Sequence, residues 1–344
     1  MKSIKLLSTL FLTILLFSSC VEKEEIEEPL GDYEHGFFVL NEGNWGSGNA
    51  SITYLSEDYS TLETEVYKTV NIESLGDVAQ DVLFHNEKAY IVMNGSDKVV
   101  VVNRYTMEHL SVIEGSEIKN PSFMIMYNGK GYLSNWGIGS DASDDTIVVI
   151  DLASDTIVNT IPVGFVPNRL AVVNDKLYVE LQGWYPNNDS QVEVIDLITN
   201  VSIKTIEVGN YPHSLMTYND KVYVLSNNHI IEINTSNDTI SRTLTGGDTD
   251  YFNYLTNNGD DLYYSLNNNI YKWNIGEISL PNVEDIELGI SIYGMKVYNG
   301  FLYVNHYADW QTGESLMNIY DTSTKNLIKE GISTGIYSKT VAFN

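Results

Sequence analysis

The residues of this 344-residue chain that could do chemistry are sparse, and their spacing suits recognition better than bond-making. The six histidines, His35, His85, His109, His213, His229 and His306, are scattered, and none pairs with another at metal-ligand spacing. "SDASDD", Ser140 to Asp145, gathers oxygen ligands but lacks the Gly and Glu positions of a calcium-binding EF-hand loop. In so acidic a chain a solvated charge cluster is the simpler account. "NWGSGN" and "NWGIGS" do not sit between a strand and a helix, so they are not phosphate cradles. No nucleophile, base and orienting group can be assembled in predictable proximity, so no catalytic residue, metal or catalytic cofactor is expected.

Two other sets of residues stand out. Four of the five tryptophans lie in Gly- and Asn-rich stretches: Trp45 in "NEGNWGSGN", Trp136 in "SNWGIGSDASDD", Trp184 in "QGWYPNNDS" and Trp310 in "HYADWQTGES". Tyr185 and Tyr307 accompany them, whereas Trp273 in "IYKWNI" lies in a strand and is expected in the core. Exposed aromatic clusters mark recognition surfaces; the alternative is that each ring folds down to cap the sheet beneath it. The second set opens a series of apolar runs: Gln80, Ser122, Asn168, His213, Asn253, Tyr293 and Ser338. All can hydrogen-bond, and Arg169 and Lys339, one residue further on, are rare positive charges suited to a carboxylate or phosphate. The alternative role for this ring is to hold ordered water.

The elements that must position both sets are repeats. "AQDVLFHNEK" from Ala79 is answered by "PSFMIMYNGK" from Pro121, "PNRLAVVNDK" from Pro167 and "PHSLMTYNDK" from Pro212, then by "FNYLTNNGD" from Phe252 and "YGMKVYNG" from Tyr293. Each ends in Asn-Gly, Asn-Asp or a close variant, a signal for a two-residue hairpin turn. Each is followed by a strand centred on a tyrosine: Tyr90, Tyr132, Tyr178, Tyr223, Tyr263 and Tyr303. Strictly alternating third strands such as "TIVVIDL" and fourth strands such as "VSIKTIEVG" complete the unit. Four short antiparallel strands every ~40–50 residues, with almost no helix, predict an all-β propeller.

The two ends set the blade number. "GFFVLNEGNWG" from Gly36 matches the tyrosine strand but has no inner strand before it. "IYSKTVAFN" from Ile336 is an inner strand with no partner after it. Together they predict a seventh four-stranded blade and a ring closed by pairing the C-terminal strand with the N-terminal blade, which removes an exposed sheet edge. In that frame the Asn-Gly turns share one face of the disc. The Trp loops and the starts of the inner strands share the other, around the mouth of the central channel.

Composition narrows the partners. With 19 Lys+Arg against 46 Asp+Glu, the formal charge of −27 argues against nucleic acid or an anionic membrane surface as ligand. "MKSIK" followed by "LLSTLFLTILLF" predicts a secretory signal over residues 1–19, because the apolar run is shorter than the ~20 residues of a spanning helix. "FSSC" resembles the lipobox of bacterial lipoproteins, with Phe17 where Leu is more usual, and implies lipidation at Cys20. Residues 20–35, with the acidic "VEKEEIEEPLGDYEHG", read as lipid anchor and solvated tether, and 36–344 as the propeller. An acidic run after such a cysteine resembles the export signal of lipoproteins exposed on the outer membrane.

The blades also carry a family resemblance. "KLYVELQGWYPNNDSQVEVIDLITNVSIKTIEVGNYPHSL" resembles the repeat of YncE-like seven-bladed propellers, and "GFFVLNEGNWGSGNASITYL" resembles the opening of their surface-lipoprotein branch found beside TonB-dependent transporters. The resemblance implies capture of cobalamin or a related corrinoid on one propeller face, as in the BtuG type, and its delivery to the transporter, without chemistry. Trp45, Trp136, Trp184, Tyr185, Tyr307 and Trp310 would then form the aromatic rim, with Gln80, Asn168, Arg169, His213, Asn253 and Tyr293 meeting the ligand's polar arms. Two other classes stay open: a surface propeller docking a protein or glycan, and a metal-dependent hydrolase or lyase.

Overall fold

The computed structural model describes residues 29–139, 141–183 and 190–344. The expected signal segment and Cys20, together with Trp184 and Tyr185, lie outside the described residues. Among the described residues, no helix is long and apolar enough to cross a membrane. The one α-helix among the described residues, Val66–Asn71, is a six-residue link between the first and second blades.

Seven antiparallel sheets follow one another along the chain. Their inner strands are Ala79–His85, Pro121–Tyr127, Pro167–Val173, Pro212–Tyr218, Asn253–Asn258 and Ile292–Tyr298 in the second to seventh blades. Ser338–Phe343 is the inner strand of the first and pairs antiparallel with Gly36–Asn41, closing the ring as predicted. The Asn-led turns match their type. Asn128 and Gly129, Asn174 and Asp175, Asn219 and Asp220, and Asn299 and Gly300 all have positive φ at both central positions. That is the hairpin geometry whose twist matches the flanking strands.

The sixth blade departs from expectation. It has three strands, and where its fourth should run there is a single bridge, Ile270 to Ile286. The stretch Gly276–Leu288 is interrupted by Pro281, which has no N–H to give to a ladder.

The apolar core is seven separate clusters, and each spans the interface between two neighbouring blades. Tyr90 and Val92 of the second blade pack on Met124 and Leu133 of the third. The alternate residues Ala89, Ile91 and Met93 pack on Phe38 and Leu40 of the first. Period-2 alternation therefore sends odd and even side chains to opposite neighbours, and both faces of each sheet are buried. Phe37, Val39 and Val341 meet Tyr303, Met317 and Ile319 in the closing cluster, so the seam between the ends is packed like any other interface.

The repeated tyrosine is explained by this geometry. Tyr90 donates its hydroxyl to Asp155 Oδ1 at 2.8 Å, in the outer turn of the next blade, while Lys88 pairs with the other oxygen at 2.8 Å. Lys176 and Tyr178 clasp Asp238 in the same way, and Tyr303 meets Tyr59 across the seam. Without an outer strand the sixth blade offers no such turn. Lys221 and Tyr223 of the fifth blade bond instead to Glu232 within their own sheet.

Candidate functional site

The mouth of the channel is shaped by seven register shifts. In every inner strand one extra residue stands opposite the second strand: Gln80, His213, Tyr293 and Lys339 are bulged singly. In the other three blades two residues face one, as Asn168 and Arg169 face Glu180. A bulge re-aims a side chain and leaves backbone groups without ladder partners. Side chains from the second strand supply them: Phe123 N–H donates to Ser134 Oγ at 2.9 Å, and Ser265 Oγ donates to the Asn253 carbonyl at 3.3 Å.

The loops above are pinned to the same place. Val78, Asn120, Val166 and Tyr337, each directly before an inner strand, have left-handed φ between 49° and 55°. Their carbonyls accept from Asn94, Trp136, Gln182 and Glu42, the residues leaving the second strands, at 2.7–3.3 Å. The Trp loops and the inner-strand starts therefore share one face, as predicted. A β-branched residue is costly in that conformation, and its repetition signals that the loop register is over-determined by the bonds around it.

These constraints form a depression of about 280 Å³. Of the predicted site residues it is lined by Gln80, Trp136, Asn168, Arg169, His213, Asn253 and Tyr293. Phe123, Ser214 and Tyr254 join them. They occupy the same position in the repeat as Arg169 and Lys339, so reading one residue further along each phrase would have found them. Gln182 and Tyr251 also line it, from loops that carry no positional signal.

The remaining predicted residues are placed differently. Trp45 and Trp310 are 70% and 72% exposed at loop tips and do not line the depression. Tyr307 packs 4.9 Å from Tyr293 and 5.8 Å from Tyr337, bracing the rim. Ser122 and Ser338, expected to point to the mouth, are fully buried: Ser122 donates to Asn168 Oδ1 at 3.0 Å and Ser338 to Asn41 Oδ1 at 2.6 Å. Trp273 is in the core, under the Arg242 guanidinium. The acids of "SDASDD" brace their loop, Asp144 accepting from Ile138 N–H and Asp145 from Val166 N–H, each at 2.9 Å.

Electrostatics at the mouth are uneven. Arg169 lies with its guanidinium 3.9 Å from the Phe123 ring centre. Burial pushes Glu180 up to about 7 even though Arg169 and the Asn168 amide, 3.1 Å from Oε1, pull the other way. Among the described residues its second oxygen has no hydrogen-bond partner, and neither does the buried Trp136 Nε1. His213 stacks on Tyr251 at 5.0 Å, and both ring nitrogens face carbonyls, those of Tyr211 and Phe252. Burial holds its pKa below the usual histidine value despite them. Lys339 pairs with Glu42 at 3.1 Å, and Glu42 also accepts the Tyr293 hydroxyl. The arrangement offers amides, hydroxyls, one accessible guanidinium and aromatic faces around an open hollow, the equipment of a binding surface.

No curated protein matches the sequence. Among solved structures, the computationally designed Ika8 protein is similar over 88% of this chain and 89% of its own, with 12% identity and a TM-score of 0.61. The dihydro-heme d1 dehydrogenase NirN is similar over 90% and 75%, with 10% identity and a TM-score of 0.55. Hydrazine synthase of Kuenenia stuttgartiensis is similar over 67% and 73%, with 13% identity and a TM-score of 0.50. At such identities these likenesses concern the fold alone. The sequence matches one family across residues 35–309, and on that match this seven-bladed propeller belongs to the family described as a domain of unknown function, DUF5074.

Proposed function

We propose that the mouth face captures cobalamin or a related corrinoid and passes it to a TonB-dependent transporter, with the protein held on the outer membrane through lipid on Cys20. The observation that carries this reading is the convergence of seven sequence-predicted residues, from six of the blades, around one open depression. A corrinoid is a broad plate fringed with amide arms. It is too large to enter a hollow of about 280 Å³, so it would lie across the mouth. The arms would reach Gln80, Asn168 and Asn253, and the plate would rest against Trp136 and Tyr293. A preorganised rim of this kind loses little conformational entropy on binding.

Calorimetry with cobalamin and protein beginning after Cys20 tests it. Tight 1:1 binding, weakened about tenfold or more in Trp136→Ala with an unchanged melting curve, is expected. No heat of binding at micromolar protein would overturn it. The second occupant, a protein or glycan partner, is favoured by the exposure of Trp45 and Trp310 at 70% and 72%, outside the lining of the depression.

A further inference from the structure

Beneath the mouth the channel opens into a second cavity of about 490 Å³ that shares Arg169, Ser214, Tyr254 and Lys339 with the first. Its walls mix polar groups with apolar ones such as Val82, Leu215, Met295 and Phe343. Yet Arg169, Lys296 and Lys339, three of only 19 cationic side chains against 46 acids, line it together. Lys339 pairs with Glu42, but among the described residues neither Arg169 nor Lys296 has a carboxylate within ion-pair distance. Lys296 is an exposed residue whose side chain lines this open cavity. Desolvation by the surrounding protein holds its pKa below the usual lysine value, with the nearby Arg169 charge acting the same way and the Asp81 carboxylate opposing both. The single acid on the cavity wall, Asp81, has an oxygen accepting Met124 N–H at 3.0 Å. With Lys339 already paired to Glu42, Asp81 supplies at most one negative charge for the two remaining cations, Arg169 and Lys296.

Holding Arg169 and Lys296 along one channel without a carboxylate in ion-pair distance is costly, and a mobile anion offsets that cost. Ser214 adds a directed donor: its Oγ accepts from Leu255 N–H at 3.1 Å, which leaves its own proton to give. We infer that the propeller axis is an oxyanion site, taking a phosphate-type group between Arg169, Lys296 and Lys339. The surrounding acidic surface makes the site selective by position, since an anion gains attraction only after it has entered the channel.

The inference stands apart from the corrinoid reading and is tested without a corrinoid. Inorganic phosphate and adenosine 5′-monophosphate are titrated into the soluble protein, with chloride at matched ionic strength as reference. Saturable binding of inorganic phosphate identifies a free-anion site. Saturable binding of the ester alone identifies a site for a phosphate carried on a larger molecule held at the mouth. In either case Arg169→Gln and Lys296→Gln should each weaken binding about tenfold while keeping the wild-type melting curve in chloride. Absence of saturable binding for both anions, or affinity unchanged in both variants, overturns the inference.

Discussion

The Lys339 ammonium sits 3.1 Å from the Glu42 carboxylate, joining residues 297 positions apart where the two ends of the chain share one sheet. Asn41 and Ser338 bond beside them at 2.6 Å, and Phe37, Val39 and Val341 pack against the seventh blade below. The seam thus combines a buried polar clasp with an apolar interface. It is the place where a ring either closes or fails.

Removing Ser338–Asn344 deletes the inner strand of the first blade and opens the closing cluster. Ring cooperativity then has no seventh interface to complete it, and an unpaired edge is left at Gly36–Asn41. The expected result is loss of the cooperative thermal transition, with aggregation. A truncated protein melting at the full-length midpoint would show that the ring does not depend on closure.

A finer change at the same seam targets Gly294. An added Cβ there would lie 2.0 Å from the Lys339 carbonyl oxygen, a backbone atom that cannot swing aside. Gly294→Ala should therefore force the inner strands of the seventh and first blades apart, at a cost of about 1–3 kcal/mol. Chemical denaturation measures it. Lys339 would move with the strand, so phosphate affinity at the axis should fall as well.

The tyrosine clasps give a third prediction. Asp155 receives Tyr90 and Lys88 from the second blade while its own side chain is 12% exposed. Asp155→Asn removes the charge both donors were placed to meet, and about 1–3 kcal/mol of stability should be lost. Tyr90→Phe should cost less in the Asp155→Asn background than in the wild type, because the two changes break one bond. Additive losses in a double-mutant cycle would show that the clasp is not an energetic unit.

Much of this fold is legible in the sequence because its signals are local. Asn128-Gly129 and Asn299-Gly300 announce hairpins through backbone conformations that few other pairs adopt, and the unbroken apolar run in "TIVVIDL" announces a strand buried on both faces. The Tyr repeat is equally plain, but its partner is not, since Asp155 lies 65 residues from Tyr90. The left-handed Val78 and Val166 are invisible beforehand, because their conformation is imposed by bonds from Asn94 and Gln182 rather than by their own preference. At the site, residue type and repeat position locate Gln80, Asn168 and His213. Which side of a bulge each side chain leaves by is a tertiary matter, and that is why Ser122 turns inward to Asn168. The missing strand of the sixth blade has one local signal, Pro281, in the stretch where that strand is expected.

Glu180 supplies the pH prediction. It is fully buried opposite the Asn168–Arg169 bulge, and burial raises its carboxyl from 4.5 to about 7. A carboxyl raised on folding holds its proton in the native state over a range where the unfolded chain has lost it. Its favourable share of stability is complete below about 4.5 and is lost as pH rises through about 7. Above that the native state carries an ionised group whose Oε2 has no partner among the described residues. Glu180→Gln keeps an oxygen for the Asn168 amide and removes the ionisation. The variant should match the wild type near pH 4.5 and exceed it by about 1–3 kcal/mol at pH 8, flattening the stability profile between those limits. Asp81, pushed by burial up to about 6, stays in the variant and should leave a smaller decline between about pH 4 and 6. Denaturant midpoints measured from pH 4.5 to 8 decide the matter. Parallel profiles for the two proteins would mean that Glu180 is already ionised, and satisfied, at the lower pH.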